Sequence, residues 1–145
     1  MAVERTATAE WQGDLVEGSG TVSTESGVVR DATIKWSSRA EAADENTSPE
    51  ELMAAAHAAC ISMALANGLA KAGTPPQELE SEATATFESV DDGFRMTNMR
   101  IRIRGQVDGL DDDAFRQAAE EAKDNCPVSL ALKDNVDVSV EASLG

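Results

Sequence analysis

Tyrosine is absent from this chain of 145 residues, and two tryptophans and three phenylalanines are its only aromatics. The core must be built mostly from Ala, Val, Leu, Ile and Met, small side chains that favour further burial against a partner subunit. Positive charge is scarce too: 12 Lys and Arg stand against 27 Asp and Glu, a net charge of −15. That sign argues against a nucleic-acid binder and against a peripheral protein on an anionic membrane. It suits a solubilising surface or a high-salt cytoplasm. No apolar run is expected to reach membrane-spanning length, and Met1 to Glu10 lack a signal peptide's apolar core. The expectation is one soluble, cytoplasmic domain over residues 1–145.

Cysteine is scarce as well, with Cys60 and Cys126 the only two, 66 residues apart. In a reducing compartment such a pair is redox-active, metal-binding or simply buried, rather than a permanent cross-link. There is no Gly-rich phosphate loop and no nucleophile elbow. No Cys-x-x-Cys or His-x-x-x-His spacing supports a metal, so neither metal nor cofactor is expected.

What is present centres on one stretch, Ser48 to Gly68. It opens with a Ser cap, Pro at the first helical position and Glu50-Glu51 where the helix dipole favours negative charge. Leu52, Ala56, Ala59/Cys60, Met63 and Asn67 follow helical spacing. Hardly a charge falls between Glu51 and Lys71, which predicts a long central helix buried almost all round. It ends near Gly68 or at latest Gly73, since Pro75 and Pro76 forbid continuation.

The N-terminal third predicts a small antiparallel meander: Thr6 to Trp11, Thr21 to Ser23 and Thr33 to Ser37 alternate between glycine-containing turns. Ser38 to Thr47 reads as a polar loop carrying Arg39. After the prolines, Leu79, Ala83, Ala85 and Phe87 alternate with polar residues up to the turn Asp91-Asp92-Gly93. The return strand is apolar at Phe94 and Met96, then at Met99, Ile101 and Ile103. That change of phase predicts a bulge near Thr97-Asn98. Counting the bulge sets Glu80 and Glu82 opposite Arg104 and Arg102, so the arginine stripe is a neutralised, solvated face. Asp111 to Asp113 open a second helix with Phe115, Ala118, Ala119 and Ala122 on one face. It stops at Asn125. Cys126-Pro127 caps a short helix through Leu132, and Val136, Val138 and Val140 mark a last strand. The fold class is α+β.

For chemistry, Cys126 at a helix start faces unpaired backbone amides that lower a thiol's pKa, or it is an incidental cap. Cys60 is a reactive thiol or a buried apolar residue. His57, one helical turn before Cys60, is a general base, a metal ligand together with both cysteines and Glu50, or a packed, hydrogen-bonded histidine.

Ser48-Pro49-Glu50-Glu51-Leu52 through His57-Ala58-Ala59-Cys60 resembles the central-helix signature of the OsmC/Ohr family, the osmotically inducible and organic-hydroperoxide-resistance proteins. Asn125-Cys126-Pro127-Val128-Ser129 resembles its second-cysteine motif. Trp11-Gln12-Gly13-Asp14 and Gly20 to Val28 look like the OsmC branch. The resemblance implies an intertwined homodimer with two sites at the subunit interface. It implies a thiol peroxidase in which Cys60 is peroxidatic and Cys126 resolving, with Glu50 the active-site glutamate and Arg39 its arginine, Arg30 being the alternative. It also implies an organic hydroperoxide, or hydrogen peroxide, as substrate and a lipoyl-type dithiol or small thiol as reductant. An apolar substrate site is expected from among Leu52, Met53, Ile61, Met96 and Met99.

Spacing adds a constraint. Glu50 and Cys60 are ten residues apart on one helix, roughly 15 Å of rise. One site using both must take Glu50 from a second chain. Lowering a thiol's pKa raises its ionised fraction at pH 7 by at most about 30-fold, so the arginine must also stabilise the departing alkoxide. The rival readings are an OsmC-like domain that binds an apolar ligand without turnover, and a metal-binding module.

Overall fold

The computed structural model describes all 145 residues, which divide into two compact units, Met1–Leu52 and Met53–Gly145. In the first unit, strands β1 (Ala7–Gln12), β2 (Ser19–Thr24) and β3 (Ala32–Ile34) form an antiparallel sheet in the order β1-β2-β3, the meander that the alternation predicts. Asp14 shapes the first turn, its carboxylate accepting from the amides of Val16 and Glu17.

The third strand is shorter than its pattern suggests. Ile34 pairs with Gly20, one residue from the start of β2, so beyond it only Ser19 is left on that strand. The chain turns instead into a short helix, α1 (Trp36–Ala40), whose own bonds satisfy the backbone, including Glu41 N–H to the Ser37 carbonyl. Arg39 therefore lies in the last turn of a helix and not in the expected loop.

Helix α2 (Pro49–Lys71) starts where the capping signal places it. The Ser48 hydroxyl accepts from the Glu51 amide at 3.1 Å, and the Thr47 hydroxyl donates to the Glu51 carboxylate at 2.9 Å. Of the two expected ends, the chain uses the later. Gly73 takes a positive φ of 87°, and the Thr74 amide bonds back to the Leu69 carbonyl at 2.9 Å.

In the second unit, β4 (Glu78–Val90), β5 (Gly93–Gln106) and β6 (Asp137–Leu144) form a sheet with β5 central. The β4–β5 hairpin carries the expected bulge: Thr86 faces Asn98 but Phe87 faces Met96, leaving Thr97 as the extra residue. Glu80 faces Arg104 and Glu82 faces Arg102, as the phase requires. Arg104 does pair with Glu80, while Arg102 turns to Glu141 on β6, both at 3.5 Å and largely exposed. Such pairs are worth about 1 kcal/mol at most. Helices α3 (Asp112–Asn125) and α4 (Pro127–Leu132) connect β5 to β6, and this long connection lets β6 run parallel to β5.

The core of this unit gathers Ile61, Leu65 and Leu69 from α2, Met99, Ile101 and Ile103 from β5, and Phe115, Ala119 and Ala122 from α3. Each large side chain there contributes about 1.5–3 kcal/mol of burial. The opposite face of α2 is open within the chain: Ala55, Ala56, Ala59, Met63, Asn67 and Ala70 are exposed, so the helix is not buried all round as expected. By length and composition α2 would also be long and apolar enough to cross a membrane, contrary to the expectation from sequence; its buried face is part of the core.

Gly105 in β5 is required by packing. A Cβ there would meet the Phe115 ring at 2.5 and 2.9 Å, and Leu79 at 3.2 Å. Gly105→Ala is expected to destabilise this unit by about 1–3 kcal/mol in urea unfolding. An unchanged midpoint would show that Phe115 can yield.

Candidate active site

Two arrangements of functional side chains stand out, one in each unit. In the first, Glu50 sits in the opening turn of α2 and Arg39 in the last turn of α1. Arg39 Nε donates to Glu50 Oε1 at 2.9 Å and to Oε2 at 3.2 Å, and Nη2 lies 2.8 Å from Oε1. The carboxylate side chain is only 10% exposed, against 36% for the arginine. A nearly buried acid thus holds an arginine that solvent still reaches, fixing its orientation. Arg30, the alternative arginine, folds back over Gly27 in the β2–β3 turn.

In the second, the two cysteines come together. Cys60 lies mid-way along α2, half-buried; Cys126 is fully buried between the end of α3 and the start of α4. Both are free thiols and each is a side-chain partner of the other. Asn125 ends α3, Pro127 opens α4, and Cys126 occupies the cap position between them. Its sulfur closes no capping bond of its own, yet the Ser129 and Val128 amides lie where they favour negative charge on it.

The two thiols differ in acidity. Burial pushes the Cys60 thiol above its ordinary value, and its partner Cys126 pushes it further; the Val128 backbone only partly opposes them. Burial also acts upward on Cys126. It is outweighed there by the Ser129 amide, the Cys60 thiol, the Ser129 hydroxyl and the Val128 amide, so Cys126 titrates below its ordinary value. The cap expectation for Cys126 therefore holds. Within its own chain Cys60 is not activated, and its thiol is set to donate toward the Cys126 sulfur.

His57 is fully buried, and its Nε2 lies 2.7 Å from the Ser129 hydroxyl oxygen. Burial holds the imidazole below its ordinary pKa and hence neutral at pH 7. It is the packed, hydrogen-bonded histidine of the three options. No group of three His, Cys, Asp or Glu side chains is placed to hold a metal. Ile61 and Met99 are completely buried in the core and cannot line a substrate site, contrary to expectation; Met53 is exposed, and Leu52 and Met96 are half-buried. Ser129 was missed from the sequence. Its only signal is the i, i+3 spacing from a cap residue, which sets a third-position amide and hydroxyl over the cap side chain.

The sequence profile described as OsmC-like protein matches residues 42–141. Among curated proteins, "Peroxiredoxin OsmC" of Escherichia coli strain K12 is 40% identical over 136 residues, 94% of each chain. "Organic hydroperoxide resistance protein OhrA" of Bacillus subtilis is 28% identical over 117 residues, 78% of this chain and 79% of that one. Among solved structures, the organic hydroperoxide resistance protein OhrB of Bacillus subtilis superposes with a TM-score of 0.76 at 26% identity, covering 95% of this chain and 98% of that one. A protein from Vibrio cholerae, titled a putative organic hydroperoxide resistance protein with captopril bound in one of its active sites, gives 0.77 at 25% identity, covering 98% and 92%. With a profile across both cysteine motifs and a relative matched along nearly its full length, the chain belongs to the OsmC-like protein family.

Proposed function

We propose that this protein is a thiol peroxidase that reduces organic hydroperoxides, with Cys60 the peroxidatic and Cys126 the resolving cysteine. The observation that carries the reading is the placement of the chain's two cysteines beside each other, with the buried one held below its ordinary pKa by the amides and hydroxyl around it. A metal module would need a third ligand near them, and no such cluster is placed. A passive ligand-binding domain has no use for two thiols of opposed acidity. The names of the curated relatives point the same way.

The Cys60 thiolate attacks the terminal oxygen of the hydroperoxide. The O–O bond breaks, the alkoxide leaves and takes a proton, and an alcohol is released while Cys60 becomes a sulfenic acid. Cys126, as thiolate, then attacks the sulfenic sulfur. An S–S bond forms, the S–O bond breaks, and hydroxide leaves as water after protonation. A dithiol reductant, of lipoyl type or a small-thiol equivalent, reduces the disulfide and returns both thiols.

Cys60 still needs activation, because its own surroundings raise its pKa. Arg39, held by Glu50, has the charge and the fixed orientation to lower that pKa and to stabilise the departing alkoxide. Glu50 is ten residues from Cys60 along α2, or roughly 15 Å. We therefore take the functional unit to be a homodimer in which each site joins the thiols of one chain to the Arg39–Glu50 pair of the other. The exposed Ala55, Ala56, Ala59 and Met63 stripe is small and apolar enough for close approach of a second α2. In this reading residues 1–145 act as one OsmC-like domain, for the family profile runs across the boundary between the two units. The cytoplasm, where glutathione and thioredoxin keep thiols reduced, is its compartment.

Thiol-dependent consumption of cumene hydroperoxide is expected in the wild type and lost in Cys60→Ser; a wild type without turnover would refute the reading. The shared site has its own test. Cys60→Ser and Arg39→Ala chains, each impaired alone, are refolded together. Random pairing makes half the dimers mixed, and each mixed dimer has one intact site, so roughly a quarter of wild-type activity returns. No recovery, or wild-type rates in Arg39→Ala alone, would overturn the arrangement.

A further inference from the structure

His57 is the one fully buried titratable group that the reaction above leaves without a task, and its Nδ1 has no hydrogen-bond partner. That orphan fixes the tautomer. A proton on Nδ1 would be a buried donor with nothing to receive it, which is among the costlier defects in a folded interior. A bare Nδ1 leaves only an unused lone pair. The imidazole therefore carries its proton on Nε2, which lies 2.7 Å from the Ser129 hydroxyl oxygen and donates to it. Ser129 has a single hydroxyl proton. With its oxygen already accepting from His57, that proton is free to turn toward the sulfur of Cys126, three residues earlier at the cap of α4.

We propose that His57 and Ser129 are positioning residues for Cys126: the imidazole orients the serine hydroxyl, and the hydroxyl donates to the Cys126 sulfur and holds it as the thiolate. The assignment rests on the reading of Cys126 as the resolving cysteine. In the resolving step this thiolate is the attacking sulfur. In the return step it is the leaving one: an external thiolate forms a new S–S bond to the half-exposed Cys60 sulfur, the Cys60–Cys126 bond breaks, and the electron pair departs on Cys126. A leaving sulfur stabilised in this way departs faster. Nothing stands behind Nδ1 to pass a proton onward, so the row His57–Ser129–Cys126 orients a donor and does not shuttle protons.

The test reads Cys126 directly. In a Cys60→Ser background, where a hydroxyl remains beside Cys126, the ultraviolet absorbance of the thiolate is titrated against pH without any peroxide. Ser129→Ala and His57→Leu are each expected to move the titration upward and to lower the thiolate fraction at neutral pH roughly tenfold, the weight of a hydrogen bond to a charged group. Combining the two adds little, because they act in series. His57→Gln, which keeps a donor near the position of Nε2, is expected to recover most of the effect. A folded His57→Leu whose Cys126 titrates like its parent overturns the proposal; so does a Ser129→Ala that leaves it unmoved, should the leucine variant fail to fold. With Cys60 restored, the same substitutions are expected to slow disulfide formation and re-reduction while the first attack on peroxide keeps its rate. An unshifted titration thus refutes the positioning role even in an active enzyme, and a shifted one upholds it even where wild-type turnover is absent.

Discussion

The juxtaposition of Cys60 and Cys126 demands more of the chain than any other contact. One sulfur rides on the longest helix, and the other sits at a joint between two shorter ones, 66 residues later. Bringing them together depends on where α3 stops. Phe115 seats α3 on the sheet by packing over the bare backbone of Gly105, while Ala119 and Ala122 continue the same buried face. Asn125 ends that helix and Pro127 begins the next, so Cys126 is delivered to a cap position already fully buried. Deep burial alone would suppress its ionisation; the amides and hydroxyl at the start of α4 reverse that.

Helix α2 serves two purposes along its length. Ile61, Leu65 and Leu69 anchor it in the core, while the alanine face turned away from them is uncovered within a single chain. Near one end Glu50 holds Arg39, and mid-way along stands Cys60. The helix is too stiff to bring those positions together. In the proposed dimer, association would do more than hide apolar surface: it would supply the cation that the raised pKa of Cys60 calls for.

Much of this was legible in the sequence because it is local. The capping signal at Ser48, the two-residue turn before Gly93 and the phase change that places a bulge at Thr97 each arise within a few residues, and each was found where expected. Cys126 followed from a Cys-Pro step at a helix start. The misses have physical reasons. Trp36 and Ser37 looked like strand because they continue an alternating pattern, and Ser38 to Ala40 like loop; only the length of β2, read in three dimensions, shows how little partner strand remains. The parallel pairing of β6 and the bond between His57 and Ser129, 72 residues apart, are long-range choices without a local signature. Helical periodicity likewise identified α2 as apolar around its circumference, yet could not say which face its own chain would cover.

The most direct test is a titration of the fully reduced protein with one equivalent of an organic hydroperoxide, followed by peptide mapping without reductant. The account predicts loss of two thiols per peroxide and a disulfide joining Cys60 to Cys126 within one chain. Oxidation of Cys60 to the sulfinic acid with Cys126 left as a free thiol, or cross-links between Cys126 residues of different chains, would contradict it.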